Sequence, residues 1–126
     1  MEPHLPPALY SVDLGGCTGL AARPPDEIMV TFAAALRRAG ATVVRDVFHS
    51  FPETGLTYVL ILSESHAILH TWPETGTVNI DIFSCSTRLK SLEAIDELRR
   101  YFGAGQVTVQ ELTRADGYDS PPDGSE

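Results

Sequence analysis

Four β-type segments lie in a row between residues 41 and 84, and only short turns separate them. Their residues are largely β-branched, aliphatic and aromatic, and the last segment, Thr77–Ser84, alternates apolar and polar side chains. Turns this short join antiparallel strands, because a parallel pair needs a crossover of about a dozen residues or more. The sequence therefore predicts an antiparallel sheet formed by residues 41–50, 56–62, 66–72 and 77–84.

A helical pattern stands on each side of this block. The first helix is expected to begin at Asp26, after two prolines, and to end before Gly40; the second is expected over Leu89–Phe102. Further strands are expected at Ala8–Leu14 and Gln106–Leu112. The order predicts an α+β fold, a two-layer sandwich whose antiparallel sheet carries two helices on one face. The second helix is expected to turn five residues inward: Leu89, Leu92, Ile95, Leu98 and Phe102.

The segment Leu56–Leu62 reads LTYVLIL, so both faces of the central strand are expected to be apolar. The two helices cover one face. Our hypothesis for the other face is that two copies stack sheet to sheet, which gives an αββα dimer. Residues 1–113 are expected to form a single domain, and residues 114–126 a disordered acidic tail of Gly, Pro, Asp and Ser.

The net charge of −8 opposes nucleic-acid binding, whose main term is the neutralisation of phosphates by Lys and Arg. No apolar run is long enough to span a bilayer, and the first residues do not have the pattern of a signal peptide. We therefore expect no membrane association and a cytoplasmic location. The two cysteines, Cys17 and Cys85, are too few for a disulfide framework or a four-thiolate zinc site.

The segment Ser63–Glu74, SESHAILHTWPE, concentrates two serines, two glutamates, two histidines and the only tryptophan. His66 and His70 have the spacing of metal ligands on a helix. On a strand the same spacing covers about 13 Å, too far for one ion, so no metal is expected. A hydrolytic triad is disfavoured because Ser65 lacks the G-x-S-x-G turn. A purely structural role, with histidines on the sheet and serines in turns, stays open at this point.

Two motifs in this region resemble a known family. Ser-Glu-Ser-His-x-x-x-His-Thr-Trp-Pro-Glu, at Ser63–Glu74, and Ile-Asp-x-Phe-x-Cys, at Ile80–Cys85, resemble prokaryotic S-adenosylmethionine decarboxylase. That family is made as a proenzyme that cuts itself. The resemblance implies cleavage between Glu64 and Ser65, which yields residues 1–64 as a β chain and 65–126 as an α chain.

The resemblance also implies the roles of individual residues. Ser65 is the precursor of a pyruvoyl group, a self-derived cofactor that forms a Schiff base with the substrate, so that no pyridoxal phosphate is needed. His70 matches the proton acceptor in processing, and Thr57 matches a residue that supports processing. Cys85 matches the proton donor in catalysis, a role that suits a thiol.

Substrate binding is implied at Glu74, whose carboxylate can accept from ribose hydroxyls, and at Phe51, which can stack on adenine; Phe48 is a weaker aromatic candidate. The chain departs from the family at Thr75-Gly76-Thr77, at Ser86 and at Asp13, where aromatic residues, glycine and glutamate are usual. The resemblance thus implies a homodimer of cleaved αβ pairs that converts a small molecule, S-adenosylmethionine, to its decarboxylated form for spermidine synthesis.

Two other functions are compatible with these residues. The first is a pyruvoyl-dependent decarboxylase of arginine or ornithine, which keeps the chemistry and changes the substrate. The second is a non-cleaving regulatory paralogue. The presence of Ser65, His70 and Cys85 argues against the paralogue.

Overall fold

A computed structural model describes residues 5–53, 55–63, 65–85 and 89–118. Six strands and two α-helices follow one another in the order expected, with one short 3₁₀ turn at Leu20–Ala22. The elements are β1 (Ala8–Gly15), α1 (Pro25–Arg38), β2 (Val43–Phe51), β3 (Gly55–Leu62), β4 (Ser65–Trp72), β5 (Thr77–Ser84), α2 (Ser91–Phe102) and β6 (Gln106–Thr113).

The strands form a single sheet in the order β2-β3-β4-β5-β1-β6, and every neighbouring pair is antiparallel. The predicted four-stranded meander is therefore confirmed. The N-terminal strand β1 lies between β5 and β6, so both terminal strands extend the sheet at the same side. This position explains why Val12 and Leu14 of β1 are among the most buried residues.

Both helices pack on one face of the sheet, which confirms the two-layer α+β fold. Helix α1 begins with Pro25 at its first position and has acidic residues in its first turn and Arg37 and Arg38 in its last. Helix α2 ends at Gly103, which adopts the left-handed conformation that favours glycine. The core between the layers is built from the inward residues of the strands, with Phe32, Leu36, Ile95 and Leu98 of the helices.

One inward residue of α2 was predicted wrongly. Leu92 is 58% exposed. Helix α2 starts at Ser91, and its buried stripe follows Ser91, Ala94, Ile95 and Leu98, so Leu92 falls at the solvent side of that stripe. Leu89, by contrast, is buried although it precedes the helix.

The second face of the sheet, which we call the open face, carries the residues that alternate with the core. Its apolar members Val59, Ile68 and Phe83 are half-buried, and Ile61 is exposed. Polar side chains share this face with them. Among the described residues, no helix combines the length and the apolar character needed to cross a bilayer. Residues 119–126 of the expected tail lie outside the described residues.

Candidate active site

The reactive residues lie at two opposite ends of β4. Ser65 is the first residue of this strand and pairs with Ser84, the last residue of β5. Cys85 follows directly, so strand pairing brings the serine and the cysteine to one end of the sheet. We call Ser65, His66, Phe83 and Cys85 the serine end. Here the Ser65 hydroxyl lies 3.5 Å from Nδ1 of His66, whose ring packs on Phe83 with centroids 5.4 Å apart.

The backbone at Ser65 is unusual. Its φ is +154°, in a region that residues with side chains rarely adopt. Such conformations cost about 1–3 kcal/mol and concentrate at functional sites, where the surrounding structure holds them. Here antiparallel partners on both sides, Leu62 and Ser84, hold Ser65 in place. Glu64, the residue expected before the cut, lies outside the described residues, as does Ser86.

The second cluster surrounds His70. Thr57 and His70 are paired residues on β3 and β4, and the Thr57 hydroxyl lies 2.6 Å from Nδ1 of His70. The His70 ring lies beside two aromatic rings, Trp72 at a centroid distance of 4.4 Å and Phe51 at 6.3 Å. We call Phe51, Thr57, His70 and Trp72 the histidine end. Glu74 is exposed in the turn that follows β4.

The two ends are far apart within one chain. His70 comes five residues after Ser65 on the same strand, which corresponds to about 16 Å at 3.3 Å per residue. The sequence motif reads as one cluster because its residues are contiguous, but an extended strand separates them. A single chain therefore does not bring His70 to Ser65.

The aromatic candidates separate in the same way. Phe51 stands on the open face near His70 and is 39% exposed. Phe48 lies on the opposite face of β2 and pairs with Tyr58. It lines a groove against α1 together with Met29 and Val30. The structure thus brings Phe51, and not Phe48, to the histidine end.

The turn that carries Glu74 is braced by the loop after β1. The Cys17 N–H donates to the Gly76 carbonyl at 2.9 Å, and Gly76 has a φ of +67°. A side chain at position 76 would press on the Cys17 backbone. Burial raises the pKa of the Cys17 thiol, which suits a small apolar core residue, whereas Cys85 is exposed.

Metal chelation by His66 and His70 does not fit this geometry, since the two residues lie on a strand and not on a helix. Within the described ranges no group of three or more His, Cys, Asp and Glu side chains is placed to hold an ion.

Sequence reasoning missed a chain of hydrogen bonds beside His70. The Trp72 indole N–H donates to Asn79 Oδ1 at 2.6 Å, and Asn79 Nδ2 donates to Asp13 Oδ1 at 2.8 Å. Asn79 is the partner of His70 on β5, and Asp13 is the partner of Asn79 on β1. Only the strand register reveals this alignment, because residues 13 and 79 are remote in sequence.

The fold and the site together are those of a two-layer α+β enzyme whose reactive groups lie at the two ends of β4 and on the strands beside it. A sequence model of the S-adenosylmethionine decarboxylase family matches residues 8–115. The chain belongs to this family, as the two motifs indicated.

Individual relatives carry the name of the same family. The chain is 36% identical over 102 residues to the S-adenosylmethionine decarboxylase proenzyme of Acidithiobacillus ferrooxidans, covering 81% of this chain and 77% of that one. It is 42% identical over 89 residues to the proenzyme of Pelotomaculum thermopropionicum, covering 71% and 68%. The crystal structure of adenosylmethionine decarboxylase from Aquifex aeolicus has the same fold, with a TM-score of 0.80 at 24% identity over 94% of this chain and 98% of that one.

Proposed function

We propose that this protein is a self-processing, pyruvoyl-dependent decarboxylase that converts S-adenosylmethionine to its decarboxylated form and carbon dioxide, and so supplies spermidine synthesis. The observation that carries the proposal is Ser65 in a strained conformation at the start of β4, with Cys85 across the neighbouring strand end. Membership of the family and the proenzyme names of the relatives support the same reading.

In the proposed processing, Ser65 Oγ attacks the carbonyl of Glu64, and the peptide becomes an ester. A base removes the Ser65 α-proton, and the ester is eliminated, which releases residues 1–64 with a carboxylate terminus. Water then replaces the nitrogen of the dehydroalanine left at position 65, ammonia departs, and a ketone-bearing terminus remains. The strain at Ser65 favours this rearrangement because cleavage releases it.

The residues present fit a pyruvoyl group at position 65, since the precursor serine lies beside a cysteine that can act as an acid. When formed, this group supplies the electron sink that decarboxylation requires and that no ordinary side chain provides. Cys85 would return a proton to the product carbon. Glu74 and Phe51 would hold the nucleoside of the substrate, and both are exposed to receive it.

We propose His70 as the proton acceptor in processing, oriented by Thr57. The hydrogen bond between Thr57 Oγ1 and His70 Nδ1 admits two tautomers of the ring. If Nδ1 carries the proton and donates to Thr57, Nε2 has a free lone pair and can act as a base. The proposal requires this tautomer.

Ser65 and His70 lie about 16 Å apart within one chain, which supports a site whose serine and histidine come from two different chains. Stacked sheets pack about 10 Å apart, so side chains of facing sheets can meet. A two-fold axis that lies between the sheets and runs across the strands sets the serine end of one copy over the histidine end of the other. The half-buried apolar residues of the open face would be covered in the same contact. We therefore propose a homodimer of cleaved αβ pairs with two composite sites.

Trapping of the new terminus tests this function. Purified protein is analysed by intact mass before and after borohydride or hydrazine treatment. We expect two fragments, 1–64 and 65–126, with the mass shift of a trapped carbonyl on the second. Ser65→Ala should stay uncut, whereas Ser63→Ala, a matched change at an exposed neighbouring serine, should be cut normally. An ordinary serine terminus on active protein would contradict the proposal.

The substrate is tested on the same protein by measuring carbon dioxide release with S-adenosylmethionine, arginine and ornithine in turn. We expect release from S-adenosylmethionine alone. Release only from arginine or ornithine would contradict the substrate and leave the processing chemistry intact.

A further inference from the structure

We propose that Trp72, Asn79 and Asp13 form a hydrogen-bonded chain that positions the His70 ring, an inference that rests on the proposed role of His70 as a base. The four residues lie on the open face, and none but His70 has a part in the chemistry described above. The chain runs across three strands, from β4 through β5 to β1.

The direction of the hydrogen bonds in this chain is fixed by its two end members. An indole N–H can only donate, and an ionised carboxylate can only accept. Asn79 must therefore turn its oxygen to Trp72 and its nitrogen to Asp13, as the distances of 2.6 Å and 2.8 Å record. The Asn79 amide has one orientation that satisfies both neighbours, so the network has a single arrangement.

The Trp72 ring acts directly on His70. The two rings stand on the same face of β4, two residues apart, with centroids 4.4 Å apart and planes inclined at 56°. Trp72 is 41% exposed, so packing alone does not fix its ring. The hydrogen bond from the indole N–H to Asn79 fixes the Trp72 ring. The indole then holds one side of the imidazole, while Thr57 on β3 holds its Nδ1.

Loss of this hydrogen-bonded chain should let the rings of Trp72 and His70 turn. A displacement of about 1 Å at a catalytic group can cost about a hundredfold in rate, and a loosened ring samples the correct position part of the time. We therefore expect replacement of Asn79 to slow self-cleavage by about tenfold, which is less than the loss expected for a full displacement. These residues are positioning residues, since none touches the reacting atoms.

The test compares Asn79→Asp with the double variant Asn79→Asp, Asp13→Asn. In the single variant two carboxylates face each other, and neither can donate, so the chain breaks. In the double variant the carboxylate at position 79 accepts from both the Trp72 indole and the amide nitrogen at position 13. The chain is restored with its second bond reversed and with the net charge of the original protein.

Self-cleavage is followed by intact mass in freshly expressed protein across a range of pH. We expect the single variant to be slow and the double variant to recover to within about threefold of the parent. Thr108→Ala, which changes the residue opposite Asp13 on β6, is the matched control and should cleave as the parent does. A single variant as fast as the parent, or a double variant as slow as the single one, would overturn the inference.

The pH profile separates positioning from simple packing. Two facing carboxylates share a proton readily, because one of their pKa values is raised. As the pH falls, the shared proton lets one carboxyl donate to the other, so the rate of the single variant relative to the parent should rise. A defect caused by packing alone would not give a rising ratio, and a ratio that does not rise as the pH falls would overturn the inference.

A parent protein that never cuts itself would refute the proposed function without deciding the position of His70. The ¹⁵N spectrum of the His70 imidazole then tests whether the hydrogen-bonded chain positions this ring. A resonance that changes in the single variant and returns in the double variant supports the chain, and one that is equal in all three proteins overturns it.

Discussion

Replacement of Thr57 by valine removes one hydroxyl and keeps the shape of the side chain. The hydroxyl lies 2.6 Å from Nδ1 of His70, and in the proposed processing this contact becomes a hydrogen bond to a ring that gains positive charge. Hydrogen bonds to charged groups contribute about 1.5–3 kcal/mol. Since 1.36 kcal/mol is a factor of ten in rate, Thr57→Val should slow self-cleavage by about 10- to 150-fold.

The assay is a time course of cleavage by intact mass, beginning with freshly synthesised proenzyme. Thr57→Ser keeps the hydroxyl and should cleave close to the rate of the parent. Thermal unfolding of all three proteins shows whether the valine variant is folded. A valine variant that is folded and cleaves at the parent rate, or a serine variant as slow as the valine one, would refute the proposed link between Thr57 and His70.

Two further predictions concern stability. Burial, with the 2.7 Å hydrogen bond to Asp46, raises the pKa of Tyr58 to about 12, above its ordinary value near 10. The folded state therefore holds this proton more tightly, and its stabilising contribution is complete below pH 10 and is lost as the pH rises towards 12. The midpoint of thermal unfolding should fall over that interval, and it should fall less in Tyr58→Phe. An equal fall in both proteins would contradict the assignment. Gly55→Ala should lower the midpoint of thermal unfolding far more than Gly103→Ala, because a Cβ at position 55 would stand 2.1 Å from the Thr71 carbonyl oxygen, whereas position 103 has open space. Both positions have a positive φ, +114° at Gly55 and +61° at Gly103, so a side chain is strained at either one, and equal midpoints would contradict the close approach.

The sequence predicted the elements well because local patterns determine them. Strand Thr77–Ser84 was predicted with both of its ends correct, since alternation and a preceding glycine turn mark it. The insertion of β1 between β5 and β6 was not predicted. It depends on pairing between residues far apart in the chain, which no local pattern encodes.

The candidate site was predicted as a list of residues but not as an arrangement. Ser65 and His70 lie in one short motif of the sequence, and the strand between them places them about 16 Å apart. In the sequence Asn79 is one polar residue on an alternating strand, and only the structure shows that its hydrogen bonds link Trp72 to Asp13. Register and the geometry of the extended chain, which a linear motif does not contain, account for both differences.

Mixing two inactive variants tests the composite site most directly. Ser65→Ala and His70→Ala chains, with tags of different mass, are expressed alone and together, and the dimers that carry both tags are analysed by intact mass. Each variant alone should stay uncut. In the mixed dimer one site combines Ser65 of the His70→Ala chain with His70 of its partner, so that chain should be cut. Mixed dimers in which the His70→Ala chain stays intact would contradict a site shared between two copies.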